Sequence, residues 1–152
     1  NKYSEQRIVQ LFHKTNQFNM TGSVYTHKKI SELDKQCVIF GISIKDRLGS
    51  DEIIGAIIVN FSLDSAIIEN FILSCRVLGR DIEYAVLSTL CKYFNHDYLN
   101  IVGIVKETDR NIPARSVYKN YGFKKLKNGI YILPIKDCIH NSVDIFSRID
   151  IS

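Results

Sequence analysis

The chain has 152 residues, 45% hydrophobic and 24% charged, which excludes a disordered tract; two prolines and eight glycines exclude a fibrous or linker-like chain. A single domain in the usual size class of about 100–200 residues is expected. Lys and Arg outnumber Asp and Glu by 20 to 16, a net charge of +4 that favours an acidic partner without requiring nucleic acid. Cys37, Cys75, Cys91 and Cys138 form no Cys-x-x-Cys pair, and the four histidines are scattered, so no metal site is expected. The cysteine spacing predicts reduced thiols in a cytoplasmic protein. Apolar runs such as Ile53–Phe61 are far shorter than the ~20 residues of a membrane span.

In chain order, Glu5–Phe18 sets Ile8, Val9, Leu11, Phe12 and Phe18 at roughly helical intervals and predicts an amphipathic helix. Thr26–Leu33 predicts a second, short helix with Thr26 as its cap. Val38–Ile44, Ile53–Phe61 and Ala66–Leu73 are β-branched runs joined by short polar loops, which predicts three strands in an antiparallel meander. After a loop over Arg76–Asp81, the spacing of Ile82, Ala85, Val86, Thr89, Leu90, Tyr93 and Phe94 marks one helix face, with Asp81 as the expected cap. Ile101–Val105 reads as a buried strand. Pro113 opens a helix that stops at Tyr121-Gly122. Phe123–Lys127 and Ile130–Ile135 flank Asn128-Gly129, a two-residue hairpin signal. The expected order is ααβββαβαββ. This is an α/β fold of the α+β type, with a mixed, mostly antiparallel sheet flanked by helices. The domain is expected to span 1–135, with 136–152 a C-terminal tail whose structure the sequence leaves open.

A strand, then a loop with arginine and glycine, then a helix N-terminus forms an anion site from free main-chain N–H groups. Arg76, Gly79 and Arg80 supply the charge and the close backbone approach, although a glycine there is more often only a turn. One strand later come Asn111, Ala114, Tyr118, Gly122 and Phe123. With these residues the chain resembles the GNAT acyltransferase superfamily. In that superfamily an R/Q-x-x-G-x-G/A loop holds pyrophosphate, and an N-x-x-A-x-x-x-Y-x-x-x-G-F helix follows the next strand. The helix pattern is complete here. In the loop, Asp81 stands where a small residue is usual, and its carboxylate would repel a diphosphate.

Further runs are Lys14-Thr15-Asn16-Gln17-Phe18-Asn19, Asp46-Arg47-Leu48-Gly49, Ser74 to Glu83, and Thr108-Asp109-Arg110-Asn111. Together they resemble the C-terminal GNAT-like domain of the FkbH-like proteins, HAD-phosphatase/acyltransferase fusions of polyketide biosynthesis. A HAD nucleophile motif, D-x-D-x-T, is absent from this sequence. The resemblance implies transfer of a glyceryl-type acyl group, through a thioester on Cys75, to the phosphopantetheine thiol of an acidic acyl carrier protein. Coenzyme A is the other carrier of that arm, no metal is implied, and a HAD-type phosphatase would act in the same chain or on another. Neither a membrane nor nucleic acid is implied as a partner.

The same resemblance implies that Arg76, Gly79, Arg80 and Asn111 bind the cofactor, and that Asn16, Gln17, Asn19, Thr108 and Arg110 contact substrate. Each residue also has a plainer reading. Cys75 can be a small buried residue at a strand end, although a neighbouring arginine favours a nucleophilic thiolate. Tyr118 is either a general acid for a departing thiolate or a core tyrosine. Asn111 can simply cap the helix after it. Glu69 is either a base or an exposed strand residue. Lys119, Lys124, Lys125 and Lys127 either steer a carrier protein or solubilise a hairpin. Two other functions compete with carrier loading: an acetyl-coenzyme A-dependent N-acetyltransferase and a non-catalytic docking domain.

Overall fold

A computed structural model describes residues 2–15, 17–33, 35–45, 51–138 and 149–151. The helices are α1 (Lys2–Lys14), α2 (His27–Leu33), α3 (Ile82–Phe94) and α4 (Val117–Tyr121). The strands are β1 (Val38–Lys45), β2 (Asp51–Ser62), β3 (Ser65–Leu73), β4 (Asn100–Ile104), β5 (Lys124–Lys127), β6 (Ile130–Pro134) and β7 (Ile149–Ile151). They form one seven-stranded sheet in the order β5-β6-β4-β3-β2-β1-β7. The β3–β4 pair is parallel, because α3 carries the chain back across the sheet between them. The other neighbours are antiparallel.

The period-two alternation of the central strands sends side chains to both faces. Ile58 and Ile72 point to one face, where α1 and α2 cover them with Ile8, Leu11, Phe12 and Ile30. Ile57, Phe71 and Leu73 point to the other, under α3 and α4, with Val86, Leu90, Val117 and Tyr118. The meander, Gly122 as helix terminator (φ 124°) and the turn with Gly129 at φ 74° match the sequence reading. So does the Thr26 cap: the Lys29 amide donates to Thr26 Oγ1 at 3.3 Å.

Three expectations are corrected. The first helix stops at Lys14 rather than Phe18, because Phe18 is drawn into main-chain pairing with β3. Asp81 does not cap α3: at φ 58° its side chain makes no cap bond. Pro113 sits in a 3-10 turn over Ile112–Ala114, and α4 begins only at Val117. In the segment after 135, whose structure the sequence left open, Cys138 is buried and β7 pairs with β1 through Ile42↔Ile151.

The reduced-thiol expectation also fails for one pair. Cys91 of α3 is disulfide-bonded to Cys138, across 47 positions that give no sequence signal. Cys37 and Cys75 are free. By the chain-entropy relation, a link closing a loop of that length is worth about 4 kcal/mol. Reductant is therefore expected to lower the thermal midpoint of the parent and leave that of Cys91→Ser unmoved. An equal response in both chains would show that the link does not form.

Candidate functional site

Parallel pairing of β3 and β4 runs from Ser65↔Asn100 to Ile68↔Gly103, and there the strands part. Their facing main-chain groups need other partners. Residues 18–20 supply them. The Met20 amide donates to Phe71 O and the Leu73 amide to Phe18 O, both at 3.1 Å, and the Lys106 amide donates to Met20 O at 2.9 Å. Phe18 and Met20 are buried, and Phe18 meets the Phe71 ring edge-on with centroids 5.1 Å apart.

Three buried asparagines hold this segment. Asn70 Nδ2 donates to Asn19 Oδ1 at 3.0 Å. Asn111 Nδ2 donates to Asn19 O at 2.9 Å and to Lys106 O at 2.8 Å. Asn111 Oδ1 accepts from the Thr108 amide at 2.9 Å and from Arg115 Nε at 3.3 Å. Asn19 and Asn111 are thus committed to the fold rather than turned to a ligand, and Asn111 makes no cap bond either. Thr108 Oγ1 accepts from the Asn111 and Arg110 amides at 3.1 and 3.3 Å, which shapes the loop. Arg110 and Gln17 are exposed, and Asn16 lies outside the described residues.

The loop after β3 opens with Ser74, whose Oγ accepts from the Arg76 amide at 3.4 Å, and makes a 3-10 turn over Cys75–Val77. Gly79 follows at φ 80°, with nothing within 4 Å of the place a Cβ would occupy. Gly79 and Arg80 are exposed. Arg76, expected to hold phosphate, is ion-paired with Glu52 of β2. Two carboxylates crowd the start of α3, from Asp81 and Glu83. Burial pushes the Glu83 carboxyl above its ordinary range and the Asp81 charge adds to this, against a hydrogen bond from its own main-chain N–H.

Tyr118 is 0% exposed, on the face of α4 that packs over β4. Its ring lies on Gly103, where a Cβ would come within 2.6 Å of it. Phe123 and Tyr131 flank it with centroids 5.0 and 6.4 Å away. Its hydroxyl is buried without a hydrogen-bond partner. Burial pushes the phenol well above its usual value, so it keeps its proton. Glu69 is half-buried and takes a 3.5 Å bond from Asn60 Nδ2.

Cys75 is exposed, against the buried alternative, and lines a cleft of about 370 Å³ together with Arg7, Lys14, Glu52, Ser74 and Arg76. Arg7 and Glu52 escape sequence reasoning because 45 positions separate them and no motif joins them. Gly103, a glycine within a β-branched run, was a readable sign of close approach. A second cleft, of about 420 Å³, lies at the β5–β6 turn between Glu107, Arg115, Lys125 and Tyr131. Among the described residues, no group of three or more His, Cys, Asp or Glu is placed to hold a metal, and no helix is long and apolar enough to cross a membrane.

This architecture is the GNAT fold. The structure is similar to the ribosomal-protein-S18-alanine N-acetyltransferase from Escherichia coli, with a TM-score of 0.67, 13% identity, and coverage of 94% of this chain and 95% of that one. It is also similar to a GNAT-family acetyltransferase from Bacillus anthracis, with a TM-score of 0.66, 11% identity, and coverage of 90% and 92%. An N-acetyltransferase from Staphylococcus aureus Mu50 gives a TM-score of 0.60 at 14% identity, with coverage of 89% and 92%. Neither the protein-family models nor the curated proteins give a match to this sequence.

Proposed function

We propose that the protein is an acyltransferase that draws on a coenzyme A thioester and delivers the acyl group to an amine. The observation that carries this reading is the Tyr118 hydroxyl, which is buried, protonated and without a partner in the fold. A departing thiolate needs a proton, and a phenol holds one at neutral pH. Features of the loop after β3 support the reading. Gly79 leaves open space, Arg80 is exposed, and the first turn of α3 offers amides that no helical bond uses. Coenzyme A, when bound, supplies the activated acyl carbonyl. Arg80 would face its phosphates and Tyr118 would hold the proton for the leaving sulfur.

Asp81 and Glu83 oppose that binding, so weak affinity is expected. Asp81→Gly removes one carboxylate and gives the φ 58° position to the residue suited to it. The variant is expected to bind coenzyme A about two- to fivefold more tightly and to gain about 0.5–1 kcal/mol of stability. Calorimetric titration and denaturant melts check both. Absence of coenzyme A binding in both chains would overturn the reading.

A second reading is favoured by the exposure of Cys75. There the thiol takes a glyceryl-type acyl group as a thioester and passes it to the phosphopantetheine of an acidic carrier protein in polyketide assembly. A HAD-type phosphatase would supply the donor. Lys119, Lys124, Lys125 and Lys127 are exposed and of the right charge to steer the carrier, although lysines on an edge strand such as β5 also guard against aggregation. Intact mass after incubation with an acyl donor decides between the two. An adduct lost in Cys75→Ser selects carrier loading, and turnover without an adduct selects the amine transferase.

A further inference from the structure

We propose that the cleft between the C-terminal end of α1 and the loop after β3 binds the acidic group of a small organic anion, a carboxylate or a phosphate, between Arg7, Lys14 and Arg76. This inference goes beyond the acyl-transfer reading and does not depend on it. Among the described residues that line the cleft, three cations face one carboxylate, Glu52. The volume of about 370 Å³ is in the range of small-molecule sites.

The cations are held ready. Arg7 Nε donates to Ile53 O at 3.2 Å, so the main chain of β2 fixes its guanidinium, whose side chain is only 23% exposed. Its Nη2 reaches Glu52 Oε1 at 3.3 Å, and Arg76 reaches the same oxygen. One carboxylate oxygen between two guanidiniums is the arrangement an external acid group would adopt. Glu52 is 53% exposed and Arg76 63%, so these surface pairs are weak and a ligand can take the place of Glu52 at little cost. The plainer reading, that both arginines only fasten Glu52 at the strand, leaves Lys14 and the open volume without a role.

Cys75 lines this cleft and reports on it, while Cys37, the other free thiol, lies near the charge of Glu69 and serves as an internal control. Alkylation of the intact chain by iodoacetate and by iodoacetamide, at low salt and read by peptide mass, compares an anionic with a neutral reagent at both thiols. The ratio of iodoacetate to iodoacetamide rates is expected to be about tenfold higher at Cys75 than at Cys37. Lys14→Gln, an exposed substitution, should lower that ratio severalfold, and Arg7→Gln should lower it further. Millimolar phosphate or succinate should protect Cys75 and leave Cys37 unchanged, and the better protector identifies the acid group preferred. Equal ratios at the two thiols, or no protection by either anion, would overturn the proposal. Coenzyme A turnover is measured separately, so failure here and failure of the acyl-transfer reading are distinct results.

Discussion

Asn111→Ala is expected to cost about 3–5 kcal/mol of folding free energy, since each buried group left without a partner costs about 1–3 kcal/mol. The side chain is wholly buried and serves three main-chain groups: it donates to Asn19 O and Lys106 O and accepts from the Thr108 amide. Truncation strands all three where water has no access. It also loosens Arg115, whose guanidinium is bound to Asn111 Oδ1 and to Thr108 O. The neighbouring Arg110→Ala, on an exposed side chain, should stay within about 0.5 kcal/mol of the parent. Urea melts of the two variants check the contrast. A loss below about 1 kcal/mol for Asn111→Ala would mean that water replaces the amide and that the network does not hold residues 18–20.

Tyr118→Phe should separate stability from activity. The hydroxyl has no partner in the fold, so its removal should leave stability unchanged or raise it by about 1 kcal/mol. If it is the proton donor, acyl transfer should fall by about 10²–10⁴-fold, the usual contribution of such a group. The pH dependence carries a sign. The folded chain keeps a phenolic proton that the unfolded chain releases above about pH 10, so unfolding becomes more favourable as pH rises past that point. The stability that depends on the neutral phenol is fully present below that pH and is lost above it. The phenylalanine variant should show a shallower alkaline decline. Unchanged activity would return Tyr118 to the core, where its stacking on Gly103 already accounts for it.

The strands, the hairpin and the Thr26 cap were legible because each depends on local periodicity or turn chemistry. Phe18 was misread because apolar spacing continues past Lys14, while the main chain of β3 draws that residue out of the helix. Asp81 has the right chemistry for a cap, but a left-handed backbone turns its carboxylate away from the amides it would accept from. The Cys91–Cys138 link joins α3 to the chain after β6, a proximity that exists only in the folded sheet. At the candidate site, Tyr118 and the Gly79 loop were visible as motifs. The Arg7–Glu52–Arg76 cluster and the Asn19–Asn70–Asn111 network were not, because their members meet only across α1, β2, β3 and the loop after β4.

The bonds that seat residues 18–20 between β3 and β4 span 51 positions to Asn70 and 92 to Asn111. Contacts so distant in sequence require the loops between them to close first, so this segment docks only after both strands stand side by side. The amide protons of Met20, Leu73 and Lys106 depend on one docking event, and they should exchange with solvent as a group, on the timescale of its local opening. On that order, residues 18–20 are the last main chain fitted between β3 and β4. Their release exposes main-chain donors and acceptors of two strands at once, beside Tyr118 and its unclaimed hydroxyl.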